Sequence, residues 1–239
     1  MADAGLALKL EGVVSGYAGL DVLKGISFDV PAGRLVTVVG PNGHGKSTLL
    51  KTISGLVKLR GGRIEVAGRA IGDKPHEIAG LGVAHVPQGD LLFPEMSVAE
   101  NLLMGAYIER DPAVVRNRLE EVYAFLPKLA ERRRQIASTL SGGERRMVGI
   151  GRGLMMGGSI LLIDEPSLGL APLIIDQIYR LIGDLKASGR TILLVDENPV
   201  RVADLADVLH LLDDGEIAWS GPPHDLLARE ELLATYLGG

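Results

Sequence analysis

The residues from 40 to 48 have the types and spacing needed to bind the phosphates of a nucleotide. They read Gly40-Pro41-Asn42-Gly43-His44-Gly45-Lys46-Ser47-Thr48 and fit the pattern G-x-x-x-x-G-K-[ST]. Glycines allow a tight turn that brings backbone N–H groups close to an anion. In this pattern Lys46 supplies a positive charge to the β- and γ-phosphates, and the Ser47 hydroxyl is placed to hold Mg²⁺.

The neighbouring sequence supplies the elements that would position this loop. Residues 35–39 are an apolar, β-branched run that is typical of a buried strand. Residues 47–53 contain no helix breaker, so the loop opens onto a helix whose N-terminal dipole faces the phosphates. Strand, loop and helix together favour phosphate binding over a glycine-rich turn that fits the pattern by chance.

Two carboxylates end a second apolar strand. Residues 160–163 are Ile-Leu-Leu-Ile, and Asp164 and Glu165 follow them. In parallel sheets, ligands bind at the carboxyl ends of the strands. Asp164 can hold Mg²⁺ directly or through water, and Glu165 can polarise a water for attack on the γ-phosphorus. The alternative is an ordinary acidic corner, but the phosphate loop in the same chain favours the catalytic interpretation.

The run Leu140-Ser141-Gly142-Gly143-Glu144 predicts a second anion site. Ser141 and Glu144 have the spacing of a capping box at the start of a helix. Gly142 and Gly143 are poor helix formers that permit close approach to the backbone. A helix N-terminus of this kind attracts anions. One chain with two phosphate-binding N-termini therefore suggests a nucleotide shared between two copies.

The phosphate loop, Gln88, the 140–144 run and the 160–165 strand occur in the order that resembles the ATP-binding cassette of ABC transporters. The resemblance spans nearly the whole chain, and its most specific motif is Leu-Ser-Gly-Gly-Glu. Finer features resemble the ATPases of branched-chain amino acid importers and of their urea and amide relatives. These features are residues 93–102 (Phe-Pro-Glu-Met-Ser-Val-Ala-Glu-Asn-Leu), residues 167–172 (Ser-Leu-Gly-Leu-Ala-Pro) and Tyr236-Leu237-Gly238.

The resemblance implies roles for further residues. Tyr17 would stack on the adenine, with an ordinary loop tyrosine as the alternative. Gln88 would contact Mg²⁺ or the attacking water and sense a membrane partner; otherwise it is a turn residue after a strand. Ser141, Gly142 and Gly143 would bind the γ-phosphate of the nucleotide held by the opposite subunit. Residues 167–170 would cross the interface between the two subunits.

Two positions depart from the general pattern of these cassettes. Gly169 stands where most have an aspartate, as in the amino acid subfamily. Glu197 stands where most have a histidine that donates to the γ-phosphate, so it is assigned to the catalytic site with an altered role. It could donate in a protonated form, turn away and leave Asn198 or water to donate, or slow hydrolysis. The remaining alternative is that Glu197 caps the helix near Pro199 and never meets nucleotide.

Composition restricts the possible classes of protein. The chain has 239 residues, 46% hydrophobic, with a net charge of −5 and no cysteine. The acidic balance argues against a nucleic-acid-binding protein, and disulfides and thiolate metal sites are excluded. No apolar run approaches the ~20 residues that cross a bilayer, and the N-terminus does not resemble a signal peptide. The arginines at 132–134 and 145–146 are predicted to form a solvated helix face, with a partner or lipid contact as the alternative.

Alternating strands and helices predict an α/β fold with a mostly parallel sheet and helices on both faces. We expect one domain over residues 1–239. Its nucleotide-binding core would comprise residues 1–89 and 141–239, with an antiparallel β subdomain, and a helical insertion would span 90–140. Predicted strands cover residues 6–14, 22–30, 63–66, 83–86, 191–195, 208–212 and 216–219; predicted helices cover 112–126, 141–156, 172–187, 199–206 and 225–237. Residues 15–19 are predicted as a loop, and Gly61-Gly62 as a break.

These features predict an ATP-hydrolysing subunit that powers import of a small solute, with branched-chain amino acids as the predicted cargo. Urea or a short amide is the alternative cargo. A weakly hydrolysing nucleotide-gated module or a small-molecule kinase are alternatives from other classes, and the kinase has no use for residues 140–144. The resemblance implies ATP and Mg²⁺, a second cassette bound head-to-tail, membrane permease subunits and, indirectly, a solute-binding protein. It also implies a cytoplasmic position on the inner face of the membrane.

Overall fold

A computed structural model describes residues 5–89, 91–229 and 231–232. In chain order the strands are β1 (Leu6–Tyr17), β2 (Leu20–Pro31), β3 (Leu35–Val39), β4 (Leu59–Val66), β5 (Arg69–Ala70), β6 (Val83–Val86), β7 (Ile160–Asp164), β8 (Thr191–Asp196), β9 (Val208–Asp213) and β10 (Glu216–Gly221). The helices are α1 (Lys46–Ile53), α2 (Pro75–Gly80), α3 (Val98–Gly105), α4 (Pro112–Phe125), α5 (Pro127–Glu131), α6 (Gly142–Met155), α7 (Pro172–Ala187), α8 (Pro199–Val202) and α9 (Pro223–Leu227).

The central sheet has six strands in the order β10-β9-β3-β8-β7-β6. Strands β9, β3, β8, β7 and β6 are parallel, and β10 pairs antiparallel with β9 at one edge. This arrangement confirms the predicted mostly parallel sheet. It also brings the carboxyl ends of β3, β7, β8 and β6 to one edge, where ligands bind in sheets of this kind.

The two faces of this sheet carry different layers. Along β3, Val36 and Val38 belong to an apolar core with α1 and the second sheet, whereas Leu35 and Val39 belong to a core with α6 and α7. Successive side chains of a strand point to opposite faces, so one short strand contributes to both cores. The prediction of helices on both faces is therefore confirmed, and on one face the second sheet packs beside α1.

The second sheet has four strands in the order β2-β1-β4-β5 and is antiparallel, which confirms the predicted β subdomain and adds β5 to it. Two local predictions were wrong. Strand β1 continues through Tyr17, so only Ala18 and Gly19 form the turn. Strand β4 includes Gly61-Gly62, because Gly62 has a φ of +77° and a Cβ there would lie 2.2 Å from the Gly12 carbonyl oxygen.

Helices α3, α4 and α5 lie between β6 and α6 in the chain. Helix α3 begins with a capping box between Ser97 and Glu100, and Tyr107 lies beyond its end with 82% of its surface exposed. Helix α4 confirms the prediction over 112–126 within one residue, whereas α2 and α5 were not predicted. Of the predicted 225–237 helix, α9 overlaps the first residues; residues 233–239, including Tyr236-Leu237-Gly238, lie outside the described part. Within the described ranges, no helix has the length and apolarity to cross a membrane.

Candidate functional site

The phosphate loop connects β3 to α1 at the carboxyl edge of the central sheet. Gly45, with a φ of 110°, is the N-cap of α1, and a Cβ there would lie 3.0 Å from Leu23. At Gly40 a Cβ would lie 2.1 Å from the carbonyl oxygen of Leu212. Gly45 is therefore required for its backbone conformation, and Gly40 is required for close packing against β9. The loop is therefore held between β2 and β9, with the α1 N-terminus facing outward from the sheet edge.

Lys46 is buried at the centre of the loop, with only 3% of its surface exposed. Its Nζ donates to the carbonyl oxygens of Gly40 (2.8 Å) and Pro41 (3.0 Å), and to Asn42 Oδ1 (3.3 Å). It also forms an ion pair with Glu165 Oε1 at 3.1 Å. A buried ammonium needs such partners, and their geometry places its charge beside the phosphate-binding turn.

Ser47 and Asp164 meet beside Lys46, as the prediction of a metal site requires. Ser47 Oγ donates to Asp164 Oδ1 at 2.9 Å. Asp164 Oδ2 is buried and has no hydrogen-bond partner among the described residues, and burial raises the pKa of this carboxyl. Within the described ranges, no group of three or more histidine, cysteine or acidic side chains is arranged to hold a metal ion. A hydroxyl and one carboxylate fit Mg²⁺, which commonly takes its other ligands from water and substrate phosphates.

Gln88 and Glu165 are brought into direct contact from the ends of β6 and β7. Gln88 Nε2 donates to Glu165 Oε2 at 2.8 Å. The Glu165 carboxylate is thus bound by Gln88 at one oxygen and by Lys46 at the other. Its backbone has a φ of +38°, the left-handed region that non-glycine residues seldom adopt and that is found at functional sites. The predicted residues Lys46, Ser47, Gln88, Asp164 and Glu165 form one continuous cluster.

Two further residues of the nucleotide region differ in what they contact. Tyr17, at the end of β1, is 47% exposed, as its predicted role in stacking requires. His44 is tied to the turn after β9: its Nδ1 lies 2.9 Å from Asp213 Oδ1 and 3.0 Å from the donating N–H of Asp214. The sequence pattern gave no indication of this link, since His44 occupies a variable position of the motif.

The predicted capping box at the start of α6 is confirmed. Ser141 Oγ accepts from the Glu144 N–H at 3.4 Å, and Glu144 Oε2 accepts from the Ser141 N–H at 2.9 Å. The Ser141 N–H, and after it the Ser141 hydroxyl, which donates to Glu144 Oε2 at 2.8 Å, lower the pKa of Glu144. Gly142 is exposed, whereas Gly143 packs under Ile174. Among the described residues, no hydrogen bond joins Ser141, Gly142 or Gly143 to the phosphate loop of the same chain.

Glu197 is exposed and does not cap a helix. Asn198 caps α8 by accepting from the Val200 N–H at 2.9 Å, so the capping interpretation of Glu197 was wrong. The adjacent Asp196 is buried instead. Its carboxylate accepts from the Tyr179 hydroxyl and from the Asn198 N–H (2.9 Å), and burial raises its pKa.

The Asp196 site belongs to a buried polar network that links two loops. The Tyr179 hydroxyl also contacts Ser167 Oγ at 3.2 Å, and Arg201 donates to the same oxygen at 3.2 Å. Burial, followed by the charge of Asp196, raises the pKa of Tyr179. Sequence reasoning missed this network because its members come from four separate segments, the loop after β7, α7, β8 and α8. It fixes the loop after Glu165 against the loop that carries Glu197.

The arginine clusters divide into two environments. Arg132, Arg133 and Arg134 are exposed, as predicted, but they lie in the turn after α5 and not on a helix; Arg132 pairs with Glu144 at 3.1 Å. Arg146 is buried with 3% of its surface exposed, so its assignment to a solvated face was wrong. The reason is helical geometry, because α6 packs on its neighbours along the side that carries Arg146.

A phosphate loop at the carboxyl edge of a parallel sheet, with a serine, an aspartate and a glutamate around its lysine, defines a nucleotide-hydrolysing P-loop protein. The chain belongs to the ABC transporter family, whose model matches residues 23–168. It is therefore a transporter ATPase with a nucleotide-binding domain.

Proteins of similar sequence and described function support this assignment. The chain is 38% identical to the high-affinity branched-chain amino acid transport ATP-binding protein BraG of Pseudomonas aeruginosa, over 97% of this chain and 100% of that protein. It is 37% identical to the probable branched-chain amino acid transport ATP-binding protein LivF of Archaeoglobus fulgidus, over 94% and 95%. The structure of MJ1267, an ATP-binding cassette in its ADP conformation, superposes with a TM-score of 0.85 at 29% identity, covering 95% of this chain and 97% of that one.

Proposed function

We propose that this protein hydrolyses ATP to power the import of branched-chain amino acids through membrane permease subunits. The observation that carries the catalytic part is the cluster in which Lys46 and Gln88 bind the two oxygens of Glu165 beside the phosphate loop. The cargo is supported by the similarity to BraG and LivF. Urea or a short amide is the second candidate cargo, on the weaker basis of Gln88 within Val-Pro-Gln-Gly.

Each residue of the cluster has a distinct chemical task. The loop of residues 40–48, through its backbone N–H groups other than at Pro41, and the Lys46 ammonium bind the β- and γ-phosphates, and Tyr17 stacks on the adenine. Glu165 orients the attacking water and accepts its proton, while Gln88 fixes the direction of the Glu165 carboxylate. Ser47 and Asp164 would hold Mg²⁺, assisted by Gln88; when bound, this ion neutralises charge on the phosphate oxygens.

A second cassette completes the site in this proposal. Ser141, Gly142 and Gly143 form a helix N-terminus, exposed at Ser141 and Gly142, that is separate from the phosphate loop of their own chain. Two chains related head-to-tail would each present this N-terminus to the γ-phosphate bound by the other. Residues 167–170 would lie between them, with the exposed Leu168 in the contact. The core would comprise residues 1–89 and 141–239, and residues 90–140 would move as a helical subdomain.

The permease would dock on the groove between α3, the segment after β6, and α6. This groove has a volume of about 470 Å³ and exposes large apolar side chains. Contiguous exposed apolar surface of this kind marks a site of association. Docking there would hold the chain on the cytoplasmic face of the membrane, and a solute-binding protein would act indirectly through the permease. The exposed large apolar side chains of the groove are those of Leu91, Phe93, Met104, Tyr107 and Ile108.

The variant Glu165→Gln tests the catalytic part of the proposal. It keeps the shape of the side chain but cannot accept a proton, so we expect turnover to fall by at least about a hundredfold while ATP still binds. Unhydrolysed ATP should then hold two chains together, and size-exclusion chromatography with ATP should show a dimer. Wild-type turnover in this variant would contradict the role of Glu165.

The cargo is tested separately. The full chain would be co-expressed with its permease subunits and solute-binding protein, reconstituted in vesicles and supplied with ATP. We expect uptake of labelled leucine, with Glu165→Gln as the inactive control. Uptake of urea or a short amide in place of leucine would reject the proposed cargo and leave the ATPase assignment unchanged.

A further inference from the structure

Arg146 lies where α6 meets the carboxyl ends of β6 and β7. It is two residues beyond Glu144 of the capping box, and its side chain points into the molecule with 3% of its surface exposed. A buried guanidinium is costly unless its donors are satisfied. The buried guanidinium of Arg146 therefore needs hydrogen-bond acceptors within the protein.

The guanidinium donates to backbone carbonyls that flank the two catalytic side chains. Two of the acceptors belong to the residues on either side of Gln88, and the other two belong to the residues on either side of Glu165. The acceptors are the carbonyl oxygens of Pro87 (2.7 Å) and Gly89 from Nη1, Asp164 (2.8 Å) from Nη2, and Pro166 (3.1 Å) from Nε.

Only the geometry of arginine suits this arrangement. A guanidinium carries five N–H donors in a rigid plane, so one side chain can bind acceptors on two separate loops. A lysine ammonium has three donors around one atom and cannot span both loops. Because Gln88 donates to Glu165 at 2.8 Å, small displacements of either loop would break the contact between them.

We propose that Arg146 is a positioning residue that fixes the positions of Gln88 and Glu165 relative to each other and to α6. Because α6 begins at the Ser141–Gly143 anion site, the same side chain links that helix rigidly to the catalytic carboxylate. Movement of α6 is thereby transmitted to the loops that carry Gln88 and Glu165. The inference depends on the proposed catalytic role of Glu165.

A double-mutant cycle on the full chain tests this role. ATP turnover would be measured for wild type, Arg146→Lys, Gln88→Ala and the double variant. We expect Arg146→Lys to lower kcat by at least about tenfold with KM for MgATP changed less than about threefold. We also expect Gln88→Ala to lower kcat in the wild type but to have less than about a twofold effect when Arg146 is already lysine, because Gln88 is then no longer positioned.

The controls separate positioning from stability and from the proposed function. Arg116→Lys changes an exposed arginine of α4 and should leave kcat and KM unchanged. Thermal unfolding would establish that the variants fold, and Arg146→Gln would replace Arg146→Lys if the latter does not. Unchanged kcat in Arg146→Lys, multiplicative effects in the cycle, or loss of folding in both Arg146 variants would overturn the inference. Loss of turnover in Glu165→Gln would still support the proposed function in each of those cases.

Discussion

At the scale of single residues, the negative charge of Glu197 bears on the rate of ATP hydrolysis. It is exposed, and its side chain makes no hydrogen bond within the described part of the chain. If it faces the γ-phosphate of bound ATP, two anions ~4 Å apart repel by ~4 kcal/mol at an effective dielectric constant of 20. Such a residue would slow hydrolysis in the isolated subunit.

We expect Glu197→Gln to raise kcat by roughly tenfold, which corresponds to ~1.4 kcal/mol of repulsion removed from the transition state. Glutamine keeps the shape and adds a donor without the charge. Turnover would be measured from about pH 5.5 to 8.5 for both proteins, with Glu120→Gln on the exposed side of α4 as the control. Equal rates at every pH would show that Glu197 does not contact the γ-phosphate.

Some residues could be assigned from sequence, whereas others required the folded chain. Lys46, Ser47, Asp164 and Glu165 were predictable because their motifs are local and each follows a recognisable strand. Arg146 was not, because a charged residue in a basic run is ordinarily solvated and only the packing of α6 shows that it is buried. Long-range contacts of this kind leave no spacing pattern in the sequence.

At the scale of elements, α6 is the helix on which the site depends, and glycine allows it to pack closely. A Cβ at Gly153 would lie 2.4 Å from Val86 Cγ2, and a Cβ at Gly151 would lie 2.8 Å from Leu102. Val86 is the last residue of β6, paired with Ile163 of β7, and has little room to retreat. The glycines therefore set the distance between α6 and the strand that leads to Gln88.

We expect Gly153→Ala to destabilise the protein. Alanine gains ~1 kcal/mol of helix propensity over glycine, but overpacking a core costs ~1–3 kcal/mol, and a 2.4 Å approach places this site toward the upper end. The net loss of about 1–2 kcal/mol would be measured by urea unfolding. Gly72→Ala is the control, since a Cβ there meets no atom within 4 Å. A more stable Gly153→Ala variant would show that β6 can move away from α6.

Helices and strands were predicted correctly where the hydrophobic periodicity agreed with the residues that start and end an element. Helix α7 was predicted over 172–187, the same bounds as in the structure, because Pro172 starts an amphipathic run that continues to Ala187. The Gly61-Gly62 pair was misread as a break because the same residues that end strands also permit close approach of two strands. Whether the Gly-Gly pair ends a strand or lets two strands approach closely depends on the neighbouring strand β1, which is distant in sequence.

At the scale of the whole molecule, the partly buried His85 and the buried His210 make stability depend on pH. His85 of β6 contacts Ser54 Oγ at 3.0 Å, and His210 of β9 contacts Ser220 Oγ at 2.7 Å and lies 4.6 Å from the ring of Phe28. Burial lowers the pKa of each histidine to about 4, and the charge of Lys51 also lowers the pKa of His85. Both side chains are therefore neutral in the folded protein at neutral pH.

These depressed pKa values determine the direction of the effect. Unfolded histidine has a pKa near 6.5, so between about pH 6.5 and 4 the unfolded chain binds protons that the folded chain excludes. Stability contributed by the neutral histidines is present above pH 6.5 and is lost as the pH falls. At about pH 5 the expected loss is about 2 kcal/mol for each histidine.

The measurement is the free energy of urea unfolding at several values between about pH 7.5 and 5. Other groups also titrate in this range, so matched variants are needed to isolate the two histidines. His85→Gln and His210→Gln cannot take up a proton and should each reduce the slope of stability against pH, even if they lower stability at neutral pH. His76→Gln, at an exposed position of α2, should leave the slope unchanged. Unaltered slopes in both core variants would show that the folded protein accommodates the protonated rings, because only a difference in proton binding between folded and unfolded chains produces the slope.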